Sequence, residues 1–265
     1  MSSLHDAFAR AKAEDRAALI AYIPAGFPTV SECNDIIRAI VDGGADIVEV
    51  GWPYSDPLMD GPTIQEAVER ALTNGAHAVD VLNSVTAVAE AGAVPLIMSY
   101  WNPIERYGVD RFTTEFKAAG GVGVITPDLT PEEAEAWIAA TDATGVDRIF
   151  LVAPSSTDSR LSIVTDVTSG FVYAASLMGV TGTRTSVSNH AEVLVARTRE
   201  VTDLPIAVGL GVSTPEQAAE VAKFADGVIV GSAFVKAVLN APNHEEAVIA
   251  VRELSRQLAA GVKRK

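Results

Sequence analysis

Cysteine is nearly absent from this sequence. The single residue, Cys33, excludes an intramolecular disulfide and a zinc site built from cysteines, which fits a reducing compartment. A lone cysteine of this kind is expected to be a small buried hydrophobe rather than a nucleophile. Positive charge is scarce too. Twenty lysines and arginines against 34 aspartates and glutamates leave a formal net charge of -14. That balance argues against general binding to nucleic acid or to anionic membrane surfaces. A phosphorylated small molecule would approach against the overall field and would need a strong local anion site. Long apolar runs are also missing. No window approaches a membrane span, and the opening MSSLHDAFARAKAEDRAALI mixes acids and bases without the apolar core and small-residue site of a signal peptide. A cytoplasmic protein is expected. No Pro/Ser-rich linker or shift of composition divides the chain, so residues 1–265 are expected to form one domain.

What is present is a repeated phrase: an apolar strand, a small or polar loop, an amphipathic helix, a glycine. Strands are expected at 17–23, 45–50, from Val94 (VPLIMSYW), from Gly121 (GVGVITP), from Asp147 (DRIFLVAP), from Phe171 (FVYAAS), from Leu204 (LPIAVGLGV) and from Gly227 (GVIVGSA). Helices are expected at 4–14, 29–42, 63–73, 78–91, 109–119, 130–143, 157–167, 187–200, 214–223 and 243–261, with a short one over AFVKAVL. Near-continuous apolar strands, each followed by a helix, imply a parallel sheet buried on both faces. Their count selects an α/β fold of the closed (β/α)8 TIM-barrel type, with an extra N-terminal helix and additional helices in the loops, over an open doubly wound sheet.

In such a barrel the chemistry lies at the carboxyl ends of the strands. The second strand ends on Glu49, an acid in a run otherwise fit for burial, and its loop carries Asp56 and Asp60. An unpaired buried carboxylate costs several kcal/mol, so it is retained for a reason or stays protonated. Tyr100 and Asn102 follow the third strand, Asp128 the fourth, and Tyr173 lies in the sixth. Glu49, Tyr173 and Tyr22 must point inward for a catalytic reading, which alternation along a strand allows but does not settle.

The lysines, Lys12, Lys117, Lys223, Lys236, Lys263 and Lys265, all miss the expected strand ends, which disfavours a Schiff-base mechanism. His5, His77, His190 and His244 fall in helices or helix approaches and read as surface residues. No metal site is expected. Carboxylates and a tyrosine remain, and they suit metal-free acid/base chemistry.

The last third carries a second signal. GVTG at 179–182, GLG at 209–211, and Gly231-Ser232 at the start of the short helix follow three successive strands. Glycines let the backbone approach an anion, and a helix N-terminus offers free N–H groups with a favourable dipole. This arrangement binds phosphate without a basic surface. Residues 176–190, SLMGVTGTRTSVSNH, read as a lid beside it. The other notable loop, 52–62, is stiffened by Pro53, Pro57 and Pro62, and its apolar Trp52, Leu58 and Met59 point to a partner surface.

Together EVGWPYSDPLMDGPTIQ, MSYWNPIERYG, GVGVITPDLTPEE, GVTGTR, GLGVSTPEQ and GVIVGSA strongly resemble the tryptophan synthase alpha chain family, over residues 22 to 235. The resemblance implies retro-aldol cleavage of indole-3-glycerol phosphate to indole and glyceraldehyde 3-phosphate, with no cofactor in this chain. It implies that Glu49 is the general acid/base, that Asp60 stabilises positive charge on the indole nitrogen, and that Tyr173 stands near Glu49. Gly182, Gly211, Gly231 and Ser232 would hold the phosphate, Thr181 would belong to the lid, and Tyr22 and Tyr100 would line the substrate pocket. It further implies a complex of two alpha and two beta chains, the beta chain carrying pyridoxal phosphate and receiving indole, with Pro53, Asp56, Pro57, Leu58 and Met59 near the contact. Two departures stand out: Trp52 where the family commonly has a smaller aliphatic residue, and Met178 where many members carry arginine.

Two other classes of reading compete, another phosphate-binding barrel enzyme and a non-catalytic barrel. An indole-glycerol-phosphate synthase would need a lysine at a strand end, and a sugar-phosphate isomerase is a further phosphate-binding barrel. A non-catalytic regulatory barrel would keep the phosphate site and the apolar loop but has no use for Glu49 with Asp60.

Overall fold

Apolar runs broken by Gly and Pro become strands here, and amphipathic stretches become the helices that cover them. The computed structural model describes residues 3–175, 184–209 and 211–264. In chain order these form α1 (Leu4–Ala13), β1 (Ala18–Pro24), α2 (Cys33–Asp42), β2 (Ile47–Gly51), α3 (Pro62–Thr73), α4 (Ala78–Ala91), β3 (Val94–Met98), α5 (Trp101–Tyr107), α6 (Val109–Ala118) and β4 (Gly123–Ile125). A short 3₁₀ turn (Pro131–Glu133) leads into α7 (Glu135–Thr144), β5 (Asp147–Ile149), β6 (Leu151–Val152), α8 (Asp158–Val167), β7 (Val172–Ala175), α9 (Arg184–Arg199), β8 (Ile206–Gly209), α10 (Pro215–Ala222), β9 (Gly227–Val230), α11 (Ser232–Leu239) and α12 (His244–Gly261).

Among the described residues the strands form one parallel sheet in the order β5-β4-β3-β2-β1-β9-β8-β7-β6. The two edge segments are halves of one strand, separated only by Phe150. The first half pairs with β4 and the second with β7, so the sheet meets itself and closes. The expected eight-stranded barrel is therefore present, with its fifth strand broken at Phe150.

Alternation sorts the strand residues into two cores. Ala18, Ile20, Ile47, Leu96, Ile125, Ile149, Ala207 and Ile229 fill the barrel interior, while Val48, Val50, Ile97, Val172 and Val208 pack outward against the helices. The N-terminal helix α1 plugs the end where the strands begin: its Leu4, Ala7, Phe8 and Ala11 join the interior cluster, and Phe8 lies 5.6 Å from the ring of Phe171. Gly227 leaves room for that plug, since a Cβ there would come within 2.9 Å of Ala207 Cβ and 3.1 Å of Phe8. Cys33 is buried, as expected of a packing residue.

The plug is tied down by charge. Asp46, just ahead of β2, accepts from Arg16 Nη1 at 2.6 Å, from Arg16 Nη2 at 2.8 Å and from the backbone N–H of Leu19 at 2.9 Å. This fork-on-carboxylate geometry is the strong form of the ion pair. The C-terminus joins the same end, where the N–H of Ala17 donates to Val262 at 3.0 Å.

Three local expectations change. The third strand ends at Met98 rather than running through Trp101, because Trp101 opens α5, a helix of seven residues too short to show a period. The carboxylate of Asp128 caps it, accepting from the N–H of Trp101 at 2.9 Å. Helix α9 starts at Arg184, not 187, so the last part of the expected lid is helical and the rest, 176–183, lies outside the described residues. Trp52 faces the chain's own core, with ring centroids 5.8 Å from Tyr107 and 5.5 Å from Phe112, so no partner is needed to cover it.

Because Asp46 holds both the plug and the first strand, Asp46→Ala should take the buried carboxylate from Arg16, leaving it only exposed Glu14 and the Ala17 carbonyl, and the side-chain acceptor from Leu19 N–H. The expected loss is about 3 kcal/mol, as for a broken buried pair. Urea unfolding measures it, and an unchanged midpoint would show the tie to be dispensable.

Candidate active site

Strand β2 carries Ile47, Glu49 and Gly51 toward the barrel axis. In register, Glu49 stands between Tyr22 of β1 and Leu96 of β3, and Gly51 stands beside Met98. Met98 lines a cavity of about 530 Å³ at the carboxyl ends of the strands, together with Leu151, Tyr173, Gly209, Ser155, Asp60, Met59 and His190. Leu96 belongs to the sealed interior. Glu49 therefore sits one layer beneath the cavity floor.

Its side chain is 1 % exposed, and neither carboxyl oxygen has a hydrogen-bond partner among the described residues. Burial without a partner penalises the charged form, which pushes the Glu49 pKa up to about 8. At neutral pH this group is an acid that still holds its proton.

Two tyrosines roof it. The Tyr173 hydroxyl occupies the space over Gly209, where a Cβ would meet it at 2.5 Å, and Tyr22 covers Gly51 in the same manner. Burial raises the pKa of both phenols, and the nearby charge of Glu49 adds to the effect. Asp60 sits at the cavity wall. Desolvation raises its pKa, and a hydrogen bond from Tyr100 pulls it back. Tyr100 is free to donate because its oxygen already accepts from the N–H of Met59 at 2.9 Å. The structure thus gathers Glu49, Tyr173, Tyr22, Asp60 and Tyr100 around one end of the barrel.

At the far side of the mouth, Gly231 caps α11 and Ser232 begins it, which presents the first-turn N–H groups at the end of β9. Gly211 has φ +67°, a left-handed conformation that favours glycine, and a Cβ there would meet nothing within 4 Å. Thr181, Gly182 and Met178 lie outside the described residues.

In loop 52–62, Asp56, Leu58 and Met59 are exposed and Pro57 is half-buried, whereas Pro53 is buried within the chain. Leu58 is 76 % exposed, the most of any large apolar side chain among the described residues.

Sequence reasoning missed two contributors to the cavity. His190 is an exposed helix residue, as expected, but it also lines the cavity from α9. Ser155 follows the second half of the broken strand. Its position after an expected strand end was the only signal available for it. Among the described residues no cluster of His, Cys, Asp or Glu could hold a metal ion, and no helix is long and apolar enough to cross a membrane.

The chain is similar to known proteins over nearly its whole length. The chain is 60% identical to the tryptophan synthase alpha chain of Thermobifida fusca over 266 residues, 99% of this chain and 98% of that one. It is 58% identical to that of Streptomyces coelicolor, covering 98% and 96%. Among solved structures, tryptophan synthase from M. tuberculosis in space group F222 superposes with a TM-score of 0.92 at 50% identity, over 100% of both chains. Tryptophan synthase subunit alpha from Legionella pneumophila gives 0.89 at 32%, over 99% of this chain and 98% of that one. The family profile described as Tryptophan synthase alpha chain matches residues 8–263, and the chain belongs to the tryptophan synthase alpha chain family.

Proposed function

We propose that the cavity above Glu49 is where the chain performs the reaction of its family, the cleavage of indole-3-glycerol phosphate to indole and glyceraldehyde 3-phosphate. The chain is a carbon-carbon lyase of tryptophan biosynthesis that uses no cofactor of its own; pyridoxal phosphate belongs to the beta chain, its partner, which receives the indole. The observation that carries the residue assignment is the Glu49 carboxyl, buried, unpartnered and held neutral to about pH 8 beneath the cavity.

Indole leaves poorly as an anion. Once C3 is protonated, the positive charge rests on the ring nitrogen and the bond from C3 to the glycerol carbon becomes breakable. Neutral Glu49 gives its proton to C3. The resulting carboxylate then takes the proton of the adjacent glycerol hydroxyl, the C–C bond breaks toward the ring, an aldehyde forms, and Glu49 is neutral again. One group serves as acid and then base with no net change. The carboxyl must rise toward the cavity for both transfers, since it rests one layer below it.

Asp60 has the complementary task. It stands at the wall, partly wet, where a carboxylate can oppose the charge on the ring nitrogen. The Tyr100 hydrogen bond favours its ionised form against desolvation. Tyr173 covers Glu49 and bounds the ring pocket with Met98 and Leu151. The phosphate belongs at Gly211, Gly231 and Ser232; the family resemblance assigns Gly182 to the same group and Thr181 to the lid, and both lie outside the described residues. Backbone donors there answer the charge problem of a chain at -14. Asp56, Leu58 and Met59 form the exposed face we assign to the beta chain, with Pro57 beside them and Pro53 shaping the loop from within. Assembly as two alpha and two beta chains and a cytoplasmic location complete the reading.

Glu49→Gln should abolish indole formation while binding a non-cleavable substrate analogue with near-wild-type affinity; near-normal turnover would remove Glu49 from the mechanism. The same variant tests the burial. A carboxyl whose folded pKa is raised from 4.5 to about 8 binds more protons folded than unfolded in that window, so stability is lost as pH rises from 4.5 through 8. Glu49→Gln lacks this loss, and its melting temperature should gain on the wild type across that range. Asp60→Asn should lower kcat by about 100-fold or more, the scale of one electrostatic contact made in the transition state, and full indole production would exclude that role.

A further inference from the structure

We propose that the Tyr22 hydroxyl is the positioning group for ionised Glu49: a hydrogen-bond donor seated over Gly51, on the cavity side of the carboxyl, that receives it after it has given up its proton. This rests on Glu49 being the proton donor and acceptor.

The resting structure poses the problem. Glu49 has no partner for either oxygen, which a neutral acid tolerates and an anion does not. The reaction nevertheless makes it an anion between its two proton transfers. The carboxylate needs a donor, and the donor has to stand toward the substrate.

Tyr22 is built into that place. It is the register partner of Glu49 on the adjacent strand, and both side chains enter the barrel. Its ring then leans across to β2. A Cβ on Gly51 would lie 2.7 Å from Tyr22 Cζ and 2.8 Å from Cε2, with the hydroxyl oxygen nearer still. Gly51 is the next inward position after Glu49 in the direction of the cavity. The space its side chain would fill is held instead by the phenol oxygen, about 6.6 Å further along the strand by the ordinary rise. A glutamate side chain turned upward covers most of that distance. Among the described residues the Tyr22 hydroxyl makes no hydrogen bond, so it is available to give one. Tyr173, the other buried phenol, also feels the charge of Glu49 but comes from the opposite side of the closed barrel, with its hydroxyl over Gly209 rather than over Gly51.

The surroundings keep the phenol a donor. The titratable groups that face it are Asp60, Glu49, Tyr100 and Tyr173, which are acids or phenols, and together with burial they hold its pKa well above the ordinary value. The other edge of the ring touches the phosphate side, since a Cβ on Gly231 would meet Tyr22 Cδ1 at 3.4 Å. One rigid side chain therefore spans from the anion cradle to the acid. Tyr22 keeps its proton throughout. The carboxylate accepts a hydrogen bond from it, then takes the glycerol hydroxyl proton and returns to its dry seat.

Tyr22→Phe removes only the oxygen and keeps the ring against Gly51 and Gly231. In the full-length protein with glutamate labelled with carbon-13, the Glu49 carboxyl can be titrated by infrared difference spectroscopy, with Glu49→Gln as the subtraction. The expected result is a midpoint raised by about one pH unit, the tenfold equivalent of one hydrogen bond to a charged group, with kcat for indole formation lowered by a similar factor and KM unchanged. An unmoved midpoint, or a loss confined to KM, would overturn the proposal, the latter by placing the hydroxyl on the substrate. Failure here is separable from failure of the residue assignment: an active Glu49→Gln defeats the assignment, whereas an inactive Glu49→Gln with an unmoved Tyr22→Phe midpoint defeats only this inference.

Discussion

Everything at this site depends on a carboxyl group kept out of water. Closing a parallel sheet on itself sends every second strand residue into a dry interior, and at one position in β2 that residue is Glu49. No arginine, lysine or amide reaches it among the described residues. The absence of a partner is what gives the group its chemistry, because a salt bridge would lower its pKa and leave it a permanent anion. The rest of the barrel serves that dryness. The α1 plug and its Arg16–Asp46 tie seal one end, and the two phenols roof the other.

The roof is made by exchange between strands. At Gly51 and Gly209 a strand gives up its own side chain and a neighbour's tyrosine fills the vacancy with a hydroxyl. A side chain anchored one strand away enters at an angle its host could not provide, and its oxygen sits over the glycine of the neighbouring strand. Polar groups are thereby placed inside an apolar barrel without loops, whose own N–H and C=O groups would need partners.

Much of this was legible in the sequence. Eight apolar runs gave the barrel, and an acid ending one of them gave Glu49, since a charge inside a buried run breaks a rule that function has to justify. Asp60 was legible by its place in the following loop. The misreadings have physical causes. Seven residues do not show a helical period, so α5 was not expected and its first residue, Trp101, was read as the end of β3. Phe150 breaks the ladder while remaining apolar, so nothing marked the break. His190 is exposed as read, but its place at the cavity was not legible, because a helix residue faces a cavity by virtue of where the helix docks, which depends on tertiary contacts. Trp52 showed the opposite error. An apolar side chain in a proline-rich loop suggested a partner, but Tyr107 and Phe112, more than fifty residues on, provide its cover.

The plugged end makes the barrel a blind vessel, and this governs traffic as well as stability. With Leu4, Phe8 and Phe171 filling the base, that end offers no exit among the described residues, and both products of the proposed cleavage leave by the open end. They are not equal there. In the proposed reading one carries a phosphate held by backbone at the rim, and the other is a neutral ring with no tether. The exposed Leu58 and Met59 stand on the threshold, Met59 also forming part of the wall. A chamber closed below thus turns a choice of exits into a single direction, and whatever docks at that threshold decides where the freed ring goes.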